Sequence, residues 1–258
     1  MDYRLVVMRG IDAFTQMAVD EAILDGVIDK SSPETIRFFD FCPPAITIGR
    51  LQKMEEINVS LCKKNRIDVV RRLTGGRAVV HSGDFTFSLI IKKNNPILGG
   101  NIYETYKAIS EAFLYSLRSL NIPVKWEKVK HAKEMKKDVY LQHNPFCFSS
   151  ISRYELTIHK KKVLGVSQYR RKDAILVQGS LLLKRPRSAF FDIFTIDDFF
   201  YIEESKVLSF EFFSDKLKDG MEHTYNINIE RRELSTEELE RKKLLKNKYE
   251  SEEWNYCV

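Results

Sequence analysis

The chain has 258 residues, 43% hydrophobic and 30% charged, with a formal net charge of +6. That supports a soluble, well-cored protein of one sizeable α/β domain or two small ones, and no apolar run of about 18 or more residues is present to span a membrane. The four cysteines, Cys42, Cys62, Cys147 and Cys257, form no CxxC pair, which argues against a zinc site or a disulfide scaffold and suits a reducing cytoplasm.

The N-terminal MDYRLVVMRG lacks a basic segment followed by an apolar one, so no secretory signal is expected. Ala13 to Ile28 places Phe14, Met17, Ala18, Ala22 and Leu24 near helical spacing, with Asp20 and Glu21 off that stripe, and predicts a helix. Thr35 to Phe39 and Ala45 to Ile48 are predicted strands, separated by a Pro43-Pro44 turn. A third strand, Ile67 to Arg71, runs into the loop RRLTGGRAVVH. Phe85 to Ile91 (FTFSLII) starts with period-2 alternation and ends fully apolar, as a central strand does.

Asn101 to Asn121 keeps Tyr106, Ile109, Phe113, Leu117 and Leu120 on one helical face. Glu127 to Asn144, with five lysines and two histidines, reads as a long loop. Arg153 to Ile158 and Lys162 to Tyr169 flank a basic turn at His159 to Lys161 and predict a β-hairpin; Ala174 to Leu183 is a further strand, closed by Pro186. Ser235 and Glu238 form a capping box for a charged helix running to about Tyr249. Glu252-Glu253-Trp254-Asn255 is expected to dock its indole on the body. Strands and helices alternate irregularly, with hairpins, which predicts a mixed α+β fold with helices on a mixed sheet.

Positive charge concentrates in Lys125 to Lys137 and His159 to Lys162, without a nucleic-acid recognition motif. A nucleic-acid partner is therefore not indicated, and an acidic protein partner fits the charge. In the Gly75-Gly76 loop the missing side chains let backbone pass close to a ligand, with Arg71, Arg72 and Arg77 in reach. The alternative is a tight turn with solvated arginines. The loop is not a P-loop, since GxxxxGK[ST] is absent. Cys147, between two phenylalanines, is either a core cysteine or a thiol activated by a nearby base or cation. Lys162 opens the apolar stretch Val163-Leu164-Gly165-Val166 and is placed to point inward, where an apolar setting favours proton acceptance. His81, at a strand end, is either a base or a hydrogen-bonding residue.

RRLTGGRAVVH resembles the signature loop of the superfamily of lipoate-protein ligases, biotin ligases and octanoyltransferases. AFTQMAVDEA is similar to its N-terminal helix and PPAITIGRLQ to the strand after it. FCFSSISRYELTIHKKKVLGVSQYRRKDAILVQGSLLL resembles the second half of the cysteine-dependent octanoyltransferases of the LipM type, with YESEEWNY similar to their C-terminal segment. The similarity runs from about Asp12 to Trp254. It implies an α/β fold of the biotin/lipoyl ligase catalytic type, one domain over 1–258 with a short helical tail from about 235.

The resemblance assigns Cys147 as acyl-accepting thiol and Lys162 as its assistant. It gives Arg72, Thr74, Gly75, Gly76, Arg77 and His81 to the loop lining an acyl tunnel, and Gly165, Ser167 and Gln168 to a stretch near the thioester. It implies octanoyl transfer in lipoate biosynthesis, from octanoyl-acyl carrier protein to a lysine of lipoyl-domain proteins (glycine cleavage H protein or E2 subunits), with no metal, cofactor or nucleotide. An ATP-dependent lipoate ligase and a lipoyl-domain amidotransferase are the alternatives. Gln178 stands where relatives commonly have His, Val166-Ser167 where Ser-Ala is usual, and Gln16 where Asn is common.

Overall fold

The structure, a computed structural model, describes residues 2–126, 155–193 and 199–258. Its strands are β1 (Asp2–Ile11), β2 (Thr35–Phe41), β3 (Ala45–Ile48), β4 (Asp68–Arg71), β5 (Val79–His81) and β6 (Phe85–Lys92), then β7 (Lys125–Trp126), β8 (Leu156–Ile158), β9 (Lys161–Lys162), β10 (Leu164–Arg171), β11 (Ala174–Leu181) and β12 (Asn228–Arg231). The helices are α1 (Ala13–Asp29), α2 (Val59–Lys64), α3 (Ile102–Ser119), α4 (Ala189–Ile193), α5 (Phe210–Tyr225), α6 (Thr236–Glu250) and α7 (Glu252–Asn255).

Six strands form a mixed sheet in the order β10-β11-β6-β2-β1-β12. The pairs β1–β2 and β1–β12 are parallel, and β2–β6, β6–β11 and β11–β10 antiparallel. Period-2 alternation sends Phe85, Phe87, Leu89 and Ile91 of β6 to one face, where they join Ile109, Phe113 and Leu117 of α3 and Phe213 and Leu217 of α5 in the largest core cluster. The other face of β6 carries Thr86, Ser88 and Ile90, and α1 covers it: Ile90 packs with Val19, Ile23 and Leu24. A second sheet, β4-β3-β5, stands beside the first, with β3–β4 parallel and β3–β5 antiparallel.

Helix α1 begins at Asp12, whose side chain accepts from the Thr15 amide. It is buried on nearly every side, so Asp20 and Glu21 do not face solvent as their place off the apolar stripe predicts; they are 1% and 6% exposed. The reason is a second layer. Helix α6, started by the predicted Ser235–Glu238 capping box, packs along α1, and its Lys248 and Tyr249 donate to Glu21.

The basic hairpin is tighter than predicted. His159 and Lys160 both take positive φ and turn β8 into β9, with Thr157 opposite Lys162; two consecutive left-handed residues suit the twist of a two-residue hairpin. Lys162 to Tyr169 is not one strand, because the chain leaves this hairpin at Val163 and β10 joins the main sheet. Helix α5 has no counterpart in the sequence-based expectation, since its aromatic start and Gly220 disguise it. A Cβ at Gly220 would lie 2.1 Å from Ser116 Oγ, so the glycine lets α5 cross close to α3. Strands β1, β5 and β12 and the short α2 are likewise additional to it. The expected loop Glu127 to Asn144 lies outside the described residues.

Candidate active site

Strand register assembles the site on the α1 face of the main sheet. Ser167, Gln178, Ser88 and Arg37 form one row across β10, β11, β6 and β2. Asp20 of α1 sits over this row. It accepts from Gln178 Nε2 at 2.6 Å and Ser88 Oγ at 2.6 Å and pairs with Arg37. Arg37 also donates to Gln16 Oε1 at 2.6 Å and lies over the Phe39 ring, 4.5 Å from its centroid. A fully buried guanidinium and carboxylate need partners of this kind, because desolvation would otherwise exceed their attraction.

The next row is Gly165, Ser180, Thr86 and Phe39, and a second carboxylate organises it. Asp84 Oδ2 accepts from Ser180 Oγ at 2.7 Å and Thr86 Oγ1 at 2.8 Å and lies 2.8 Å from His81 Nδ1. Burial works against ionisation of Asp84, but the facing His81 and the three hydrogen bonds outweigh it and hold the carboxyl below its ordinary range. The far nitrogen, His81 Nε2, lies 2.9 Å from Thr47 Oγ1, and Phe41 packs on the ring at 4.2 Å between centroids.

The Gly75–Gly76 loop closes over these rows. Arg72 donates from Nε to Thr74 Oγ1, from Nη1 to the carbonyl and hydroxyl of Thr47, and from Nη2 to the carbonyls of Gly75 and Arg77. Its five N–H donors all have protein acceptors. Thr74 passes its own proton to Gln178 Oε1 at 2.7 Å and accepts from Ser167 Oγ at 2.9 Å. Arg71, by contrast, points away from the loop interior toward the C-terminal segment. Neither arginine is solvated, as a plain surface turn would have left them: Arg71 is 0% and Arg72 3% exposed.

Against these rows lies a cleft lined by Met17, Phe39, Phe41, Val79, Val166 and Gly179 together with Ser167, Gln178, Thr86 and Ser180 of the two rows. Arg72, His81, Gly165 and Ser167 line it directly. Thr74 stands behind the wall, bonded to three residues that do, Arg72, Ser167 and Gln178. Gly75, Gly76 and Arg77 are outside the lining, and Gln168 turns outward, donating to the Ile102 carbonyl. Lys162 points inward as expected, 4% exposed. Its surroundings are not purely apolar, since Nζ lies 2.5 Å from Glu155 Oε1. Cys147 lies outside the described residues.

Asp20, Arg37, Thr47, Asp84 and Glu155 are absent from the sequence-based site. The one available signal was the adjacent pair Asp20-Glu21 within an otherwise apolar helix, which as a buried feature demands partners.

This arrangement of mixed sheet, covering helices and loop is the fold of the lipoate ligases. Lipoate-protein ligase A bound with ATP superposes with a TM-score of 0.82 at 22% identity, covering 99% of both chains. The bi-partite lipoate protein ligase of Thermoplasma acidophilum gives 0.77 at 22% identity, covering 99% of this chain and 96% of that one. The chain belongs to the lipoyl protein ligase A/B catalytic domain family, whose model matches residues 12–231. Two similar relatives are the octanoyltransferase LipM of Halalkalibacterium halodurans, 33% identical across 98% of each chain, and that of Bacillus subtilis, 33% identical across 93% of this chain and 92% of the relative. Like them, the chain is an acyltransferase.

Proposed function

We propose that this acyltransferase moves an octanoyl group from acyl carrier protein to a lysine of a lipoyl domain through a thioester on Cys147. The observation that carries the reading is the state of the cleft's polar groups. Thr47, Arg72, His81, Thr86, Ser167, Gln178 and Ser180 all line the cleft, and each is engaged in hydrogen bonds within the protein. A wall with its donors already satisfied offers a phosphate little, and an alkyl chain loses nothing against it. The alkyl tail then packs on Met17, Phe39, Phe41 and Val79, with burial stabilising it by about 0.8 kcal/mol per methylene.

In the first step the Cys147 thiolate attacks the carbonyl of the incoming thioester. The new C–S bond replaces the old one, and the carrier's sulfur leaves as a thiolate that takes up the proton Cys147 gave up on ionising. In the second, the lysine amine attacks the enzyme thioester; a C–N bond forms, the C–S bond breaks, and the proton shed by the amine passes to Cys147 or to solvent. Lys162, buried just ahead of Gly165 with Glu155 beside it, assists these proton movements. No nucleotide enters, because the acyl group arrives activated.

Intact-protein mass spectrometry after mixing with octanoyl carrier protein, without ATP, tests the reading. One octanoyl adduct is expected on the native chain, none on Cys147→Ala, and the adduct discharges onto an added lipoyl domain. Modification of the lipoyl domain only when ATP and a free acid are supplied would show an adenylate-forming ligase instead.

A further inference from the structure

Strand β4 lies at the edge of its sheet, where outward backbone groups are ordinarily open to solvent or to another chain. At Arg71 they are closed by side chains. The Arg71 amide donates to Asn255 Oδ1 at 2.7 Å, and the Arg71 carbonyl accepts from Trp254 Nε1 at 2.9 Å. Asn255 is itself held, donating from Nδ2 to the carbonyls of Tyr249 and Ser251. Two side chains of α7 thus take the place of a neighbouring strand.

The Arg71 side chain carries the connection onward. Its guanidinium donates to the carbonyls of Trp254 and Asn255 on one side and to those of Gly49, Arg50 and Gln52 on the other. The turn 49–52 in turn lies directly on the Gly75–Gly76 loop. The Arg50 amide donates to the Thr74 carbonyl at 2.9 Å, and a Cβ at Gly49 would stand 1.8 Å from the Gly76 carbonyl oxygen. From Asn255 to the loop that follows the cleft-lining Arg72 there is one unbroken series of hydrogen bonds and backbone contact.

We infer that Asn255 is a positioning residue for acyl transfer: through Arg71 and the turn 49–52 it sets the place of the Gly75–Gly76 loop, and with it Arg72 and Thr74. An alanine at 255 leaves the buried Arg71 N–H without its acceptor and removes the bonds that fix the Asn255 side chain on α7. The turn then has freedom to move, and the loop with it. The inference needs the acyl transfer but not the thioester intermediate, so failure of one does not decide the other.

The test combines steady-state octanoyl transfer to a lipoyl domain with hydrogen exchange of peptides covering 72–77. Asn255→Ala is expected to raise the donor KM and lower kcat/KM by roughly 10- to 100-fold, the scale on which a displaced binding element acts, and to speed exchange in those peptides. Asn255→Asp, which keeps the acceptor toward Arg71 but faces the Tyr249 and Ser251 carbonyls with an oxygen in place of the amide donor, recovers only part of both. Tyr249→Phe, which loses only the hydroxyl's bond to Glu21, serves as a stability control with native kinetics. If Asn255→Ala merely lowers the melting temperature while kinetics and exchange stay native, as in Tyr249→Phe, the residue is structural and the inference fails. Should Asn255→Ala not fold, Trp254→Phe, which removes the indole's bond to the Arg71 carbonyl, is read by the same two measurements.

Discussion

Gln178 donates to Asp20 at 2.6 Å, and that bond fixes the direction of a whole proton row. A carboxylate only accepts, so Nε2 must face Asp20 and Oε1 must face Thr74. Thr74 therefore gives its proton to Gln178 and receives those of Arg72 and Ser167. The residue needed at 178 is one carrying a donor and an acceptor on opposite ends of a short, rigid group.

Two substitutions separate that requirement from size or polarity. Gln178→His offers a ring N–H to Asp20 and a ring nitrogen to Thr74, and near-native activity and stability are expected. Gln178→Leu leaves Asp20 and Thr74 each short of a partner in a buried setting, at about 1–3 kcal/mol for each group. Urea denaturation would read the loss directly. Equal midpoints for the two variants would mean that the row's direction is unimportant.

Asp84 predicts the acid limb of stability. Its folded-state pKa lies below the ordinary value of 3.8 despite burial, because of His81 and the hydroxyls of Ser180 and Thr86. A depressed carboxyl contributes stability that is complete above the unfolded-state value and disappears as pH falls through the folded-state one. Asp84→Asn should therefore show a flatter decline in stability below about pH 4 than the native chain. Glu238 is depressed as well, against its burial, by Arg4, Ser32 and the Ser235 amide, so some decline persists in the variant. Parallel curves would remove Asp84 from the account.

These carboxylates also mark where sequence reading stopped. The helix Ala13–Ile28, the strand Ala45–Ile48 and the Ser235–Glu238 cap were legible because periodicity and capping are local. The rows were not. Ser88 and Arg37, or Thr86 and Ser180, meet only through the antiparallel register of strands far apart in sequence, and nothing near Thr86 announces Asp84 as the partner of Ser180. The loop RRLTGGRAVVH gave away its importance through Gly75-Gly76, but not that Arg71 and Arg72 face opposite ways. A strand's alternation does that: one side chain is turned to the C-terminal segment and the next to the loop.

Gly49→Ala tests how closely the turn must lie on the loop. The atoms in the way are the Gly76 carbonyl oxygen at 1.8 Å and its carbon at 2.8 Å, backbone atoms that no rotamer change can move. Relief requires separating the turn from the loop, and overpacking of this kind typically costs about 1–3 kcal/mol. A lower melting temperature together with a raised KM for the acyl donor is expected. A variant with native KM would show that the contact is dispensable to the cleft.

Gly179 stands opposite Phe87 on the neighbouring strand and lines the cleft. A Cβ there would come within 2.4 Å of two Phe87 ring carbons and 2.9 Å of the Gly165 carbonyl oxygen. Phe87 cannot simply swing aside, because its ring packs against Phe113 at 4.8 Å between centroids within the main core. Gly179→Ala is expected to destabilise by about 1–3 kcal/mol through overpacking. Phe87→Leu makes room at its own cost, so the double variant should be more stable than the sum of the two losses predicts, with a coupling of about 0.5–3 kcal/mol for residues in contact. Thermal or urea unfolding of the four proteins in the cycle measures it. Additive losses would locate the strain at the Gly165 carbonyl, and Gly179 would then owe its identity to β10 and not to the aromatic core.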